Sequence, residues 1–569
     1  MTSNDAQTSR DSSPVISKRR PRFWRARNIR RITQSVFLLF FIYLIWGGCG
    51  TPQISGGWEL AAMPGPQILF LADPLAWFSA AISSRSILVH LPILSGIFII
   101  LTLILGRVFC GWVCPLGTII DMTGRYLRPT RLELRDARAR REQRAKHMTA
   151  PLFSSHVKYY LLVFLLTLAA LGANLAGWFD PLAILMRATA FAITPSADWA
   201  IQQTLGHVSG ESALGAAFAP TYHWLRAHVM NPVAQAYGQS FLHLGILALI
   251  LALSRLRRRY WCNVLCPLGA FYGLLSRFAL CKRRVRTSQC AECAVCGHIC
   301  RMEAVQPGQA FIADPGECLR CMECGDACPR GGIDMTARAI QEDAQHARAP
   351  YSITRRGMLG AVGASITTLP LLRMKGLGQA DGSEESLPFK ASEFLLRPPG
   401  AAREGLFLRL CLRCGTCFKV CPQNALQPAL LQSGLEGLWS PVVVPRIGYC
   451  EPSCTLCTQN CPSHALQALE KDGKRVRGRL GTAWVDRNRC LPWSADQECG
   501  VCEEMCPVSP KAIEMRNTNG NADRGGKMIS APHITADRCI GCGICENKCP
   551  VDGAAAIRVT RIGESRHAA

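Results

Sequence analysis

Acidic side chains are scarce in this 569-residue chain. Forty Asp and Glu stand against 64 Lys and Arg, for a formal net charge of +24. A deficit of that size invites a polyanionic partner, but the basic residues are not spread as a nucleic-acid face would be. Lys18 to Arg31 holds eight Lys/Arg and no acid. Gly124 to His147 holds nine against three, and Arg255, Arg257, Arg258 and Arg259 follow an apolar run. The stretches 50–86 and 179–232 are short of charge of either sign. Basic blocks beside apolar runs, alternating with charge-poor loops, make the positive-inside pattern of a membrane protein. Nucleic acid is therefore not an expected partner. Also missing is a full bilayer span in mid-chain. The apolar run from Gly357 to Leu372 falls short of the roughly 20 residues that a span needs.

Four longer apolar runs are expected to span, at about Ile32–Cys49, Ile87–Phe109, Val157–Trp178 and Val233–Leu253. The charge pattern puts both ends of this half in the cytoplasm. The half reads as a duplication. Each copy has a span, a DPLA tetrapeptide (Asp73–Ala76, Asp180–Ala183), a second span with a histidine (His90, His243), and a closing CxxxCPLG (Cys110–Gly117, Cys262–Gly269). Copies of the same topology are related by an axis along the membrane normal.

The repeat carries two candidate sites. Cysteines four apart share a helix face, so Cys110, Cys114, Cys262 and Cys266 can present four thiols to one metal site, an iron or a small iron–sulfur centre. Two local thiol pairs or a redox-active disulfide are the alternatives. His90 and His243 precede their cysteines by about 20 residues, or about 30 Å of helix, which sets them toward the periplasmic side with Asp73 and Asp180. Ionisable groups at membrane depth are functional candidates, and histidine accepts a proton near neutral pH. These four residues form a candidate quinol site. Packing histidines with capping aspartates, or haem ligation by the two histidines, are the alternatives.

Thirty cysteines in so long a chain, gathered in runs, argue against a disulfide framework. Cys290, Cys293, Cys296 and Cys300 have the spacing CxxCxxCxxxC, and Cys318, Cys321, Cys324 and Cys328 repeat it before Pro329. This is the bacterial two-cluster ferredoxin signature, in which the fourth Cys of each run serves the other cluster. Cys328 is thus assigned with Cys290, Cys293 and Cys296, and Cys300 with Cys318, Cys321 and Cys324. Arg301 stands where the first run would usually have proline.

Four further runs follow: Cys411, Cys414, Cys417, Cys421; Cys450, Cys454, Cys457, Cys461; Cys490, Cys499, Cys502, Cys506; and Cys539, Cys542, Cys545, Cys549, each closed by proline. In all, six 4Fe–4S clusters are expected. The second and third runs share irregular first gaps, and by analogy with four-cluster subunits of molybdenum oxidoreductases they are expected to pair, leaving the first with the fourth. Cys49 and Cys281 are left without a role.

Between the halves, Tyr351–Leu372 has a polar start, the pair Arg355–Arg356 and the short apolar run, the composition of a twin-arginine export signal. Gly378-Gln379-Ala380 resembles a cleavage site. A cluster-loaded domain must cross a membrane folded, which suits that route. The expected domains are a basic cytoplasmic N-terminus (1–31), a four-span membrane domain (32–280), a cytoplasmic two-cluster module (281–345), the signal or anchor segment (351–380), a linker (381–404) and a four-cluster domain in the periplasm (405–569). The expected fold class is an α-helical membrane domain plus α+β ferredoxin-like modules.

The first half resembles NapH, the membrane component of periplasmic nitrate reductase electron supply, in its spans, its CxxxCP motifs and its ferredoxin runs. The second half resembles NapG, with its twin-arginine leader (Thr354-Arg-Arg-Gly-Met-Leu) and four cluster motifs. MauN and MauM of methylamine utilisation share the layout. The resemblance covers about residues 30–560, and this chain departs from it by joining two normally separate proteins. It implies quinol oxidation at a bacterial inner membrane, with electrons passed to a periplasmic c-type cytochrome or terminal reductase. Two other readings are a metal-reducing maturation factor of the CcoG type, which lacks a four-cluster exported domain, and a NosR-like accessory donor, whose flavin-binding domain the stretch 1–31 cannot supply.

Overall fold

The computed structural model describes residues 26–47, 65–85, 93–126, 156–206, 213–228, 230–231, 233–286, 289–290, 293, 295–305, 313–336, 353–373, 391–519 and 528–567. His90, Cys49, most of the basic stretch 124–147 and Gly378–Ala380 lie outside them. The chain divides into two compact units. One comprises 1–37, 99–118 and 272–351, and the other comprises 38–98, 119–271 and 352–569.

In the first unit, strands Lys282–Val285 and Ile333–Thr336 pair antiparallel, with Lys282 opposite Thr336. They bracket the two cysteine runs in the manner of a ferredoxin. The first helix, Ala26–Gly47, sends buried Arg30 Nη2 to Glu323 Oε1 at 2.9 Å. Arg301 grips the same carboxylate at 2.9 and 2.7 Å, so the residue in the proline position forms an internal ion pair. Arg107 donates to Gly316 O at 2.9 Å and to Glu317 Oε2 at 3.0 Å. A side chain at Gly111 would come within 2.9 Å of Leu319 O, so the first CxxxCP turn lies directly on the second cysteine run.

In the second unit, Asp73 caps helix Pro74–Ser84 and Asp180 caps helix Pro181–Ala188. Each carboxylate accepts from the first-turn amides, and each helix has proline in its first turn, where no amide is needed. Helix Arg355–Leu372 runs beside Val157–Ala170 in the same direction. The Tyr160 hydroxyl lies 3.2 Å from Thr354 Oγ1, Ser365 Oγ donates to Phe164 O at 3.1 Å, and Arg373 Nη2 donates to Leu171 O at 3.1 Å. Leu372 is buried among Leu165, Leu168, Ala173 and Leu175. The C-terminal half carries three antiparallel pairs: Leu426–Pro428 with Pro441–Val443, Thr482–Val485 with Ile557–Thr560, and Ile513–Asn519 with Met528–Ile534.

Among the described residues one helix, Ala26–Trp46, is long and apolar enough to cross a membrane. The other expected spans appear as the shorter apolar helices Ile93–Leu105, Val157–Ala170 and Ser240–Leu253. Two breaks have visible causes. Gly106, at φ +85°, ends the second run, and Gly172, at φ +90°, ends the third; both conformations suit glycine.

Candidate functional site: iron–sulfur ligands and a buried polar pocket

The cysteines of the six runs gather in quartets. In the first unit Cys290, Cys293, Cys296 and Cys328 line one concavity, and Cys300, Cys318, Cys321 and Cys324 line another. This is the crossover expected from the spacing. Arg283 Nε lies 3.4 Å from Cys324 Sγ, a cation beside a future thiolate.

The soluble half pairs differently from the nested expectation. Cys411, Cys417 and Cys461 pack in one core cluster, and Cys414 joins them closely enough for its charge to act on Cys417; these form quartet A. Cys421, Cys450, Cys454 and Cys457 line quartet B. Cys506, Cys539, Cys542 and Cys545 line quartet C. Cys490, Cys499, Cys502 and Cys549 line quartet D. The first run therefore pairs with the second and the third with the fourth. The irregular gaps misled because they are filled locally. Helix Leu491–Ser494 takes up the long gap of the third run, with Ser494 N donating to Cys490 O at 2.7 Å.

The quartets form a series. Cys417 and Cys457 share a core cluster, which joins A to B. Cys450 N donates to Cys542 O at 2.9 Å, which joins B to C. Cys502 and Cys545 interact, which joins C to D. Burial pushes the thiols up, Cys414, Cys502 and Cys542 each to about 12. Thiolates at these positions need a bound cation, and four converging cysteines are the donor set of an iron–sulfur group. The residues fit that group.

The two CxxxCP pairs stand on π-helical turns, Phe109–Val113 and Trp261–Leu265, not on the expected α-helical face. Cys114 and Cys266 close these turns, each donating its amide five residues back at 2.9 Å. Single π-turns are frequent at functional sites. Cys110 and Cys114 belong to the first unit, Cys262 and Cys266 to the second.

Asp73 and Asp180 come together in the second unit, and His243 lies near Arg187 of the helix that Asp180 caps. Asp73, Asp180 and His243 are 0%, 2% and 3% exposed. The two carboxyls are near enough to repel if both were charged and to share a hydrogen bond when one is protonated; Asp73 Oδ2 and Asp180 Oδ1 have no other partner. His243 Nδ1 lies 3.0 Å from Gln239 O. A carbonyl only accepts, so Nδ1 carries the proton and Nε2 of the neutral ring keeps its lone pair. Nε2 is buried and unpartnered. The ring stacks edge-on against Phe191 at 4.8 Å and lies 5.0 Å from Trp439.

Sequence reasoning missed Arg187 and Trp439. Arg187 is 1% exposed. Its Nη1 donates to Gly177 O at 2.8 Å and to Arg413 O at 2.6 Å, and its guanidinium lies 4.7 Å over the Trp439 ring. Its charge acts on Asp180 on one side and on Cys411 and Cys414 on the other. Gly415, at φ +94°, admits this approach, since a side chain there would come within 3.2 Å of Arg187 Cγ. The signal available in the sequence was Arg187 itself, a lone charge in an apolar stretch a few residues after the second DPLA.

Comparison with known proteins fits this site. A "4Fe-4S binding domain" family model matches twice, at 88–134 and 240–288, over both CxxxCP motifs. A second 4Fe-4S binding domain matches 408–427, and a "4Fe-4S dicluster domain" matches 496–553. The methylamine utilization ferredoxin-type protein MauM of Methylorubrum extorquens is 34% identical over 220 residues, 37% of this chain and 90% of MauM. The ferredoxin-type protein NapG of Escherichia coli is 36% identical over 153 residues, 27% of this chain and 64% of NapG. The ferredoxin-type protein NapH of Escherichia coli is 26% identical over 337 residues, 56% of this chain and 92% of NapH. No solved structure matches. With cysteine quartets that fit iron–sulfur groups and nine-tenths of MauM covered at this identity, the chain belongs to the MauM/NapG ferredoxin-type proteins and carries a NapH-like portion ahead of that half.

Proposed function

We propose that the chain is a membrane quinol dehydrogenase and electron conduit, passing electrons from quinol through its iron–sulfur quartets to a periplasmic acceptor. One observation carries this reading: the charge of buried Arg187 reaches both Asp180, of the buried Asp73–Asp180 pair, and the quartet A ligands Cys411 and Cys414, and it also reaches His243, whose buried Nε2 has no partner. Buried unpartnered polar atoms are rare and call for a ligand. A quinol headgroup, two hydroxyls on an apolar ring, suits them and the aromatic rings of Phe191 and Trp439.

Oxidation of one quinol breaks two O–H bonds and releases two protons and two electrons. His243 Nε2 can accept one proton. The Asp73–Asp180 pair shares one proton at rest, because two buried carboxylates this close are not both charged cheaply, and its remaining carboxylate can take the other. Arg187 keeps a fixed positive charge at Asp180. A bound 4Fe–4S group supplies one-electron uptake and release. The chain holds the quartets in series and holds the polar pocket against the first of them.

The same reading gives the topology. If the third apolar run leads outward, then helix Arg355–Leu372 beside it starts with Arg355–Arg356 at the cytoplasmic face and delivers the soluble half to the periplasm. Asp180 and quartet A would then lie at the outer face of an inner membrane. The names of NapG and MauM specify no electron acceptor, so the acceptor is expected to be a c-type cytochrome or a terminal reductase by the reasoning above.

The test is anaerobic. A reduced quinol analogue is added to the full chain in lipid nanodiscs, and cluster reduction is followed by EPR. Rapid reduction, lost in His243→Phe and Asp180→Asn, supports the reading. No reduction by quinol, with ready reduction by a cytoplasmic-side donor, overturns it in favour of a conduit for cytoplasmic electrons.

A further inference from the structure

The C-terminal half contributes side chains to the surroundings of Arg187 and His243. Trp439 comes from the loop that closes strands Leu426–Pro428 and Pro441–Val443, yet its ring packs on both His243 and Arg187. Arg187 belongs to the helix capped by Asp180, yet its guanidinium is held by Arg413 O, between the quartet A ligands Cys411 and Cys414. Arg413 in turn is bonded to Asn174 O and, at 3.1 Å, to Cys411 O. One buried cation is thus shared by the carboxyl pair and by quartet A.

We propose that Arg187 is a positioning residue common to the oxidation site and to quartet A, and that Trp439 is the soluble half's contribution to the substrate pocket. This rests on the quinol reading and deepens it: the site is composite, and electrons from it reach the soluble half at quartet A. The geometry gives each residue a separate duty. The Arg187 charge stabilises the additional negative charge that quartet A's group carries when reduced. Its Nη1, donating to both Gly177 O and Arg413 O, and its planar face on Trp439 fix the distance between His243 and the quartet. Trp439 packs on His243, as Phe191 does, and carries no charge. An Arg and a Trp are therefore expected to act on different observables.

The experiment uses the full cluster-loaded chain in nanodiscs, with potentiometric EPR of every cluster and quinol-driven reduction measured on the same samples. Cys461→Ser identifies the quartet A signal. Arg187→Gln is expected to make reduction of that one cluster about tenfold less favourable, about 59 mV for one electron, with the other midpoints unmoved. Arg187→Lys restores the charge and the midpoint but not the planar face stacked on Trp439, so quinol-driven reduction stays at least tenfold slow. Trp439→Phe leaves every midpoint in place and slows quinol-driven reduction. An unmoved quartet A midpoint in Arg187→Gln with full iron content overturns the shared-cation proposal. If Arg187→Gln loses iron, the Lys and Phe variants decide it: wild-type quinol rates in both overturn the composite site. Failure of the quinol reading looks different, since the wild type then resists quinol while the midpoint shift in Arg187→Gln persists.

Discussion

The pairing of the cysteine runs can be tested by counting iron. In the structure Cys411 and Cys461 serve one quartet, whereas Cys411 and Cys421 serve two, although the second pair is closer in sequence. Each quartet is expected to hold four irons. The double variant Cys411→Ala/Cys461→Ala should lose about four iron atoms per chain, no more than either single variant. Cys411→Ala/Cys421→Ala should lose about eight. The nested pairing, first run with fourth, predicts the reverse for the first double variant, because Cys461 would then belong to a different group from Cys411. The assay is iron and acid-labile sulfide per chain on protein purified without oxygen, with EPR spin counts as a check. The buried sites make partial occupancy with three ligands unfavourable: Cys417 is surrounded by Cys411, Cys414, Cys457 and Cys461 and is pushed well up by burial, so water has little access as a substitute ligand. A loss of eight irons in Cys411→Ala/Cys461→Ala would refute the sequential pairing and the series A to D built on it.

Three further outcomes are expected. Gly177→Ala places a methyl on the Leu412 carbonyl oxygen; overpacking against main chain costs about 1–3 kcal/mol, so the chain should melt lower and reduce more slowly with quinol. Glu404 is opposed by burial but held by Arg397, at 2.6 and 3.1 Å, and by Arg566, at 2.8 Å, so that its carboxyl titrates at about 2. Its folded value lies below its unfolded one, so its contribution is complete above about pH 4.5 and is lost as pH falls through about 2. Discounted for its partial exposure it amounts to about 2 kcal/mol. Thermal melts of Glu404→Gln should therefore show a constant deficit from pH 8 to 5. Arg355→Lys/Arg356→Lys should leave the soluble half on the cytoplasmic face, read by protease accessibility in spheroplasts, whereas export unchanged would count against the twin-arginine route.

Much of this molecule was legible in the sequence because cluster ligands are written in local spacing. The crossover of Cys300 and Cys328 follows from two regular runs. The pairing in the soluble half was not legible, because gap length reports what fills the gap, here helix Leu491–Ser494, and not which run stands opposite. The DPLA repeats pointed to Asp73 and Asp180, and the capping reading holds: each caps a helix with one oxygen, while the two carboxyls face each other. The CxxxCP spacing suggested an α-helical face, but the turns are π-helical, a difference of one hydrogen-bond step that no propensity encodes. The apolar runs overstated helix length because Gly106 and Gly172 end two of them within hydrophobic sequence.

The junction between the helices and quartet A was invisible for a more general reason. Nearly all of it is directed at main chain. Asn174 Nδ2 donates to Arg409 O at 3.0 Å, Gln235 Nε2 to Cys421 O at 3.3 Å, the Tyr237 hydroxyl to Phe418 O at 3.2 Å and Gln239 Nε2 to Pro428 O at 3.0 Å. Arg187 and Arg413 are likewise held by carbonyl oxygens. An acceptor carbonyl exists at every position, so it leaves no residue signature. Such contacts nevertheless fix register, since shifting either segment by one residue breaks all of them together. That is the constraint a relay needs where two redox groups must keep their spacing while surface residues vary. It is also a reason for joining the two halves in one chain: helix Arg355–Leu372, buried at Leu372 beside the same segment, holds the carbonyl oxygens of the C-terminal half against their donors without relying on encounter between separate proteins.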